Sequence, residues 1–255
     1  MYRVPVLLAL ASLLLLGGGR PAPAQDPAMF LAGRTKDCPG CDLSGARLKR
    51  RDLTGADLAG ANLTGASFHR ALLRGANLSG TNLTNANLNK TSLIQANFSN
   101  AEMKGAMLFE AEAGGANFSG TDLSQALMGS IHLARGRLER ANLTEADLEA
   151  AQLDDTDFAA ATLDSANLHQ VRMLRANLRG ASAESTDFTE ANMREANLQA
   201  ARLRLSIFFL ADLGVADLSA ADFTRCVLRS ANLGSTNQAG TIFVGALMPD
   251  NSVHP

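Results

Sequence analysis

Residues 56–65 read ADLAG-ANLTG and residues 141–150 read ANLTE-ADLEA, two stretches 85 residues apart built on one plan and in one phase. Taking every fifth residue from Leu43 to Met248 gives 42 centres, of which 26 are Leu, 8 are Phe and 5 are Met. Only Ala113, Ala183 and Gln238 break the series. Ala, Thr or another small residue stands two places before nearly every centre. A helix repeats every 3.6 residues and a strand every two, so neither produces a period of five. A short fixed repeat means a solenoid, in which each unit buries its apolar side only by stacking on its neighbours. The large centre and the small residue two before it both point inward. The other three positions are rich in Asn, Asp, Ser, Thr and Gly, which suits solvated turns.

Units such as ANLTG, ANLSG, TNLTN and ADLEA over residues 41–248 resemble the pentapeptide-repeat family, whose consensus is A(D/N)LxX. The resemblance implies an all-β fold: a right-handed quadrilateral β-helix with four units, or 20 residues, per coil. Forty-two centres then make about ten coils. At ~4.8 Å between stacked backbones the rod is roughly 50 Å long.

A period of 20 leaves its own trace. Phe98 and Phe118, Phe188 and Phe208, and Phe223 and Phe243 are each 20 apart, the spacing of stacked rings. The residue before the centre, followed in steps of 20 from Asp57 to Asn237, is Asp or Asn at every step except Arg137. Such a ladder bonds along the rod or closes local turns. The opposite side carries Met107, Leu127, Ile207, Val227 and Leu247, with Phe109 and Phe209 beside two of the same centres. Leu205, Leu210 and Val215 add apolar residues at nominally exposed positions. Exposed apolar patches mark contact surfaces. The candidate interaction surface is therefore Leu205, Ile207, Phe209, Leu210, Val227 and Leu247.

The first 24 residues differ in kind. Arg3 precedes an apolar run from Val4 to Leu16, and Ala22-Pro23-Ala24 forms a small-x-small site. This predicts a signal peptide over 1–24, cleaved after Ala24, and an exported, periplasmic or secreted protein with no membrane span. Beyond it the chain holds 21 basic and 25 acidic residues. That balance gives no reason to expect nucleic acid as a partner. Acidic residues crowd between Glu139 and Asp164.

Residues 25–40 are expected to cap the first coil, with Met29, Phe30 and Leu31 as a plug. Cys38-Pro39-Gly40-Cys41 follows, an entry also similar to that of secreted family members. A structural disulfide fits an exported chain. A redox dithiol and a metal site are the other readings, and the sequence supplies neither a thioredoxin-like surround nor two further ligands nearby. Cys226 takes an inward position and reads as a buried thiol. Residues 249–255 are too short for a capping helix, so either the tail folds over the end or the last coil meets another copy, giving a homodimer through the C-terminal end.

The four histidines are scattered, and no nucleophile, base and orienting group are gathered by spacing. The expectation is a non-catalytic protein without cofactors, acting as a structural or protein-interaction scaffold. The alternatives are an exported effector or, from the resemblance, a DNA mimic that binds a type II topoisomerase. A signal peptide and a weak net charge argue against the mimic.

Overall fold

The computed structural model describes residues 26–255, and the expected signal peptide over 1–24 lies outside the described residues. Successive turns of the chain stack with a step of 20 residues. Asp42 pairs in parallel with Asn62, Asp57 with Asn77, Asn97 with Asn117, and so on to Val227 with Leu247. Each side of a coil contributes a single bridge rather than an extended strand. The chain must turn a corner every five residues, which leaves no room for a longer ladder.

The hydrogen bonding follows from that geometry. Each centre donates its N–H to the coil above, as Phe98 does to the Asn117 carbonyl at 2.7 Å. The residue before it donates to the coil below, as Asn97 does to the Ala76 carbonyl at 2.9 Å. The corner closes when the next small residue bonds the centre's carbonyl, as in Ala61 to Leu58 at 3.0 Å. The residue two after each centre sits at positive φ, the signature of a type II turn. Gly60 takes φ 65° there at no steric cost, whereas Leu205 takes 62° and Val215 takes 64°.

The interior is filled throughout. Centres from Leu43 to Leu228 are at most 2% exposed, with Ala between them. The rings of Phe98 and Phe118 stack at 4.8 Å and 2°, and those of Phe188 and Phe208 at 4.8 Å and 10°. Phe223 and Phe243 tilt to 31° near the open end. Where Thr replaces the small inward Ala, its hydroxyl bonds the carbonyl of a centre in the coil below: Thr91 to Phe68, Thr121 to Phe98, Thr156 to Leu133 and Thr186 to Leu163. Ser206 and the Cys226 thiol do the same, to Ala183 and Leu203. A buried polar atom is thereby satisfied without breaking the ladder.

The two ends differ. Helix α1, Pro27–Leu31, is N-capped by the Asp26 side chain, which accepts from the Ala28 N–H at 2.8 Å. Only Phe30 plugs the core. Met29 and Leu31, expected to join it, are 40% and 51% exposed, because one turn of helix turns a single residue inward. The Arg51 guanidinium lies 4.9 Å over the Phe30 ring and donates to the Phe30 carbonyl. Arg51 occupies a position that elsewhere holds Ala, and the uncovered first coil lets it reach outward to the cap. Residues 38–40 already pair with residues 57–59.

At the other end the tail folds back. Val253 bridges Leu247 antiparallel, His254 bonds Ala246 and Gly245, and its ring meets Phe243. The side from Leu233 to Thr241 carries no coil above it, and Leu233 is only partly buried.

Candidate functional site

The 20-residue step sorts every outward residue into one of four columns. Ile207, Val227 and Leu247 are consecutive bridge partners and so form one vertical stripe. Ile207 is 40% exposed, while Val227 and Leu247 face outward but are half-buried. Phe209 is also half-buried, with the Arg229 guanidinium 5.1 Å above its ring. Phe209, Val227, Arg229 and Leu247 line a shallow depression of about 310 Å³. Leu205 and Leu210 occupy the two corners of the Ile207 side and are 53% and 49% exposed. All six residues of the sequence-derived surface therefore share one side of the C-terminal coils.

The corners give this surface its meaning. A left-handed backbone costs a side-chain-bearing residue roughly 1–2 kcal/mol. Leu205, Leu210 and Val215 occupy three corners of one coil at φ 62°, 59° and 64° and remain about half exposed. They bury little, and Gly would relax the backbone. Apolar side chains held at strained, wet positions gain most when something covers them.

A second apolar shelf lies lower on the same column. Phe109, 44% exposed, leans on Gly129, where a Cβ would stand 3.4 Å from the ring. Met107, Leu127 and Gly129 complete a depression of about 460 Å³, rimmed by Asp147 and Glu149. The missing side chain at Gly129 opens it, a feature that a reading of apolar residues alone passes over.

The acidic run between Glu139 and Asp164 is not one patch. Consecutive units lie on successive sides, so the run is dealt out around the rod. Much of it is paired: Glu139 with Arg137, Asp154 with Arg172, and Asp155 with Arg175. The Arg175 guanidinium binds Asp155 through two hydrogen bonds and holds its carboxyl below the usual range. Asp164 accepts from the Ser182 hydroxyl and the Glu184 N–H.

Asn and Asp ladders run up more than the Asp57 column. Asn77, Asn117 and Asn177 donate along it, to Asp57, Asn97 and Asp157. Asn62, Asn142 and Asn167 do likewise on other sides, to Asp42, Asp122 and Asp147. The same oxygens cap their own turns, as Asn97 does for the Ser99 N–H at 3.1 Å. The ladder therefore belongs to the fold, and the apolar stripe is what distinguishes one side from the others.

Cys38 and Cys41 are joined by a disulfide. Cys226 is a buried free thiol whose pKa burial pushes up to about 12. His132 stands between Glu112 and Gln152, 3.0 Å from each. His169 lies 3.9 Å from Glu149. Among the described residues no group of three or more His, Cys, Asp or Glu side chains is placed to hold a metal ion, and no helix is long and apolar enough to cross a membrane.

A family profile described as pentapeptide repeats, in 8 copies, matches within residues 41–125 and 141–243. Among solved structures, HetL, a pentapeptide repeat protein involved in heterocyst differentiation regulation from the cyanobacterium Nostoc sp. strain PCC 7120, is 27% identical. That match covers 89% of this chain and 98% of HetL, with a TM-score of 0.36. A thylakoid-lumen pentapeptide repeat protein of Arabidopsis thaliana is 26% identical over 40% of this chain and 71% of its own, with a TM-score of 0.30. QnrB1, a plasmid-mediated fluoroquinolone resistance protein, is 19% identical over 80% of this chain and 92% of its own, with a TM-score of 0.33. No curated protein matches the chain significantly.

Proposed function

Because the chain belongs to the pentapeptide-repeat family, we propose that it is a non-catalytic scaffold: a right-handed quadrilateral β-helix of about ten coils, exported after cleavage near Ala24, that docks a protein partner on its C-terminal apolar stripe. The carrying observation is the stripe Ile207, Val227 and Leu247, flanked by Leu205 and Leu210 at strained corners. A rigid rod with a filled interior presents fixed columns of side chains at little entropic cost on binding. Nothing about that role requires a cofactor.

The electrostatics give no support to DNA mimicry. Acidic residues are shared among all sides and neutralised by Arg neighbours, while Arg47, Lys49 and Arg50 crowd one side of the first coil. Duplex DNA carries a charge every ~1.7 Å of axis. The open edge from Leu233 to Thr241 supports a second contact, a homodimer through the C-terminal end.

The test is crosslinking and pull-down of the protein from its own envelope fraction, with sequencing of its N-terminus. A partner captured by the wild type and lost with Ile207→Asp, together with a chain starting near residue 25, is the expected result. Capture unaffected by Ile207→Asp overturns the stripe, and a chain retaining Arg3 in the cytosol overturns export.

A further inference from the structure

The Arg47 column, which also carries the apolar shelf, sorts its charges along the rod as no other side does. Its first three coils bear Arg47, Lys49, Arg50, Arg70 and Lys90 and no carboxylate. Next come the apolar coils of Met107, Phe109 and Leu127. The following three bear Asp147, Glu149, Asp187 and Glu190 and no Lys or Arg. On the column that begins at Asp52, by contrast, opposite charges neighbour each other and pair within the chain: Arg172 with Asp154, Arg175 with Asp155, and Arg194 with Asp212. On the Arg47 column, Lys90 pairs with Glu110 and His169 approaches Glu149, while Arg47, Lys49, Arg50, Arg70, Asp187 and Glu190 make no ion pair among the described residues.

We propose that this side is an antiparallel interface between two copies of the chain, with a two-fold axis between the Phe109 and Leu127 coils. An isologous contact must be self-complementary, and this order of charges is. About that axis the Lys90 coil faces the Asp147–Glu149 coil of the second copy. The coil of Arg47, Lys49 and Arg50 faces that of Asp187 and Glu190. At the centre the apolar shelves meet, and the half-exposed Phe109 and Leu127 are covered by their own images. A parallel arrangement in register would set like charges against each other, which is destabilising. The last coils project beyond the overlap, leaving Ile207, Val227 and Leu247 free for the partner proposed above.

Eight coils at ~4.8 Å give a contact about 38 Å long. A side of roughly three extended residues is about 10 Å wide. That footprint of about 400 Å² is half of the ~800 Å² per partner in a standard stable complex. The association is therefore weak, and because its outer parts are exposed ion pairs it weakens further as salt rises.

The experiment is sedimentation of the purified protein at low and high salt, with zero-length carbodiimide crosslinking. Lys49 and Glu190 are seven coils apart, about 34 Å within one chain, so a crosslink between them can only join two copies. A salt-sensitive dimer with Lys49–Glu190 and Lys49–Asp187 crosslinks is expected. Arg50→Glu with Lys90→Glu should weaken it roughly tenfold, as should Glu149→Lys with Glu190→Lys, each reversing pairs at both ends. Mixing the two variant chains restores every pair, so the mixture should associate as the wild type does. A monomer at millimolar protein and low salt overturns the proposal. So do crosslinks confined to the C-terminal coils, which indicate end-to-end contact, and so does a mixture no tighter than either variant alone.

Discussion

Replacing Phe118 with alanine tests the packing rule where it is most exacting. The ring is fully buried and stacks on Phe98 at 4.8 Å with an interplanar angle of 2°. Truncating a buried Phe costs about 3–5 kcal/mol, because the lost transfer energy is joined by a cavity the backbone cannot close. A solenoid held by hydrogen bonds above and below relaxes little, so the upper half of that range applies. The stacked pair adds about 0.5–1.5 kcal/mol beyond area. A double-mutant cycle of Phe118→Ala and Phe98→Ala should show coupling of that size. Phe118→Ala with Phe188→Ala, 70 residues apart, should be additive within about 0.5 kcal/mol. Denaturant melts measure the energies, and hydrogen exchange locates them. Coils interact only with their neighbours, so faster exchange should centre on residues 98–138 and leave the terminal coils little changed. A loss below 1 kcal/mol, or equal coupling in both cycles, would refute the stacked-column account.

Four further outcomes follow from the same geometry. Asn97→Ala removes a turn cap and two rungs of a partly wet ladder, and should cost about 1 kcal/mol in thermal melts. Val215→Gly should stabilise the fold by about 1 kcal/mol, because a β-branched residue at φ 64° is strained, and a melt no higher than wild type would count against that strain. Cys226 should resist thiol reagents at pH 8 until the protein is unfolded. Its folded pKa of about 12 stands above the ordinary 9.0, so the folded state holds the proton more tightly; this stabilisation is complete below pH 9 and fades as pH rises toward 12. Reducing the Cys38–Cys41 disulfide closes off no more than a short loop's worth of entropy, so stability should fall by about 2 kcal/mol or less, with exchange increasing only near α1.

The fold was legible because one inward position in five carries the whole core, and its phase survives even Ala113 and Ala183. The Phe spacings named the stacked pairs directly, since rings 20 apart have only each other to touch. Other features depend on what surrounds a residue rather than on what it is. Arg51 reads as a defect in the inward series until the empty space beneath the first coil makes it part of the cap. Gly129 reads as an unremarkable unit end until Phe109 is seen to lie on it. The acidic run reads as a patch along the chain, and the corners then divide it among four sides. The interaction stripe was visible as residues, but not that Val227 and Leu247 are half-covered, because exposure depends on the Arg229 and Phe209 side chains beside them. The Thr, Ser and Cys226 bonds to carbonyls 23 residues away have no signal in composition, since Ala serves the same position equally well.

Every column described, whether ladder, stripe or docking side, rests on residues 20 apart stacking directly. The most direct test is a spin-label distance between Ala59→Cys and Ala159→Cys, which the account places five coils apart on one side of the rod. Cys226 is buried and stays unlabelled. At ~4.8 Å per coil the distance should be about 24 Å between backbones, with a narrow distribution. A broad distribution, or a mean that a step other than 20 residues per coil would give, contradicts the account.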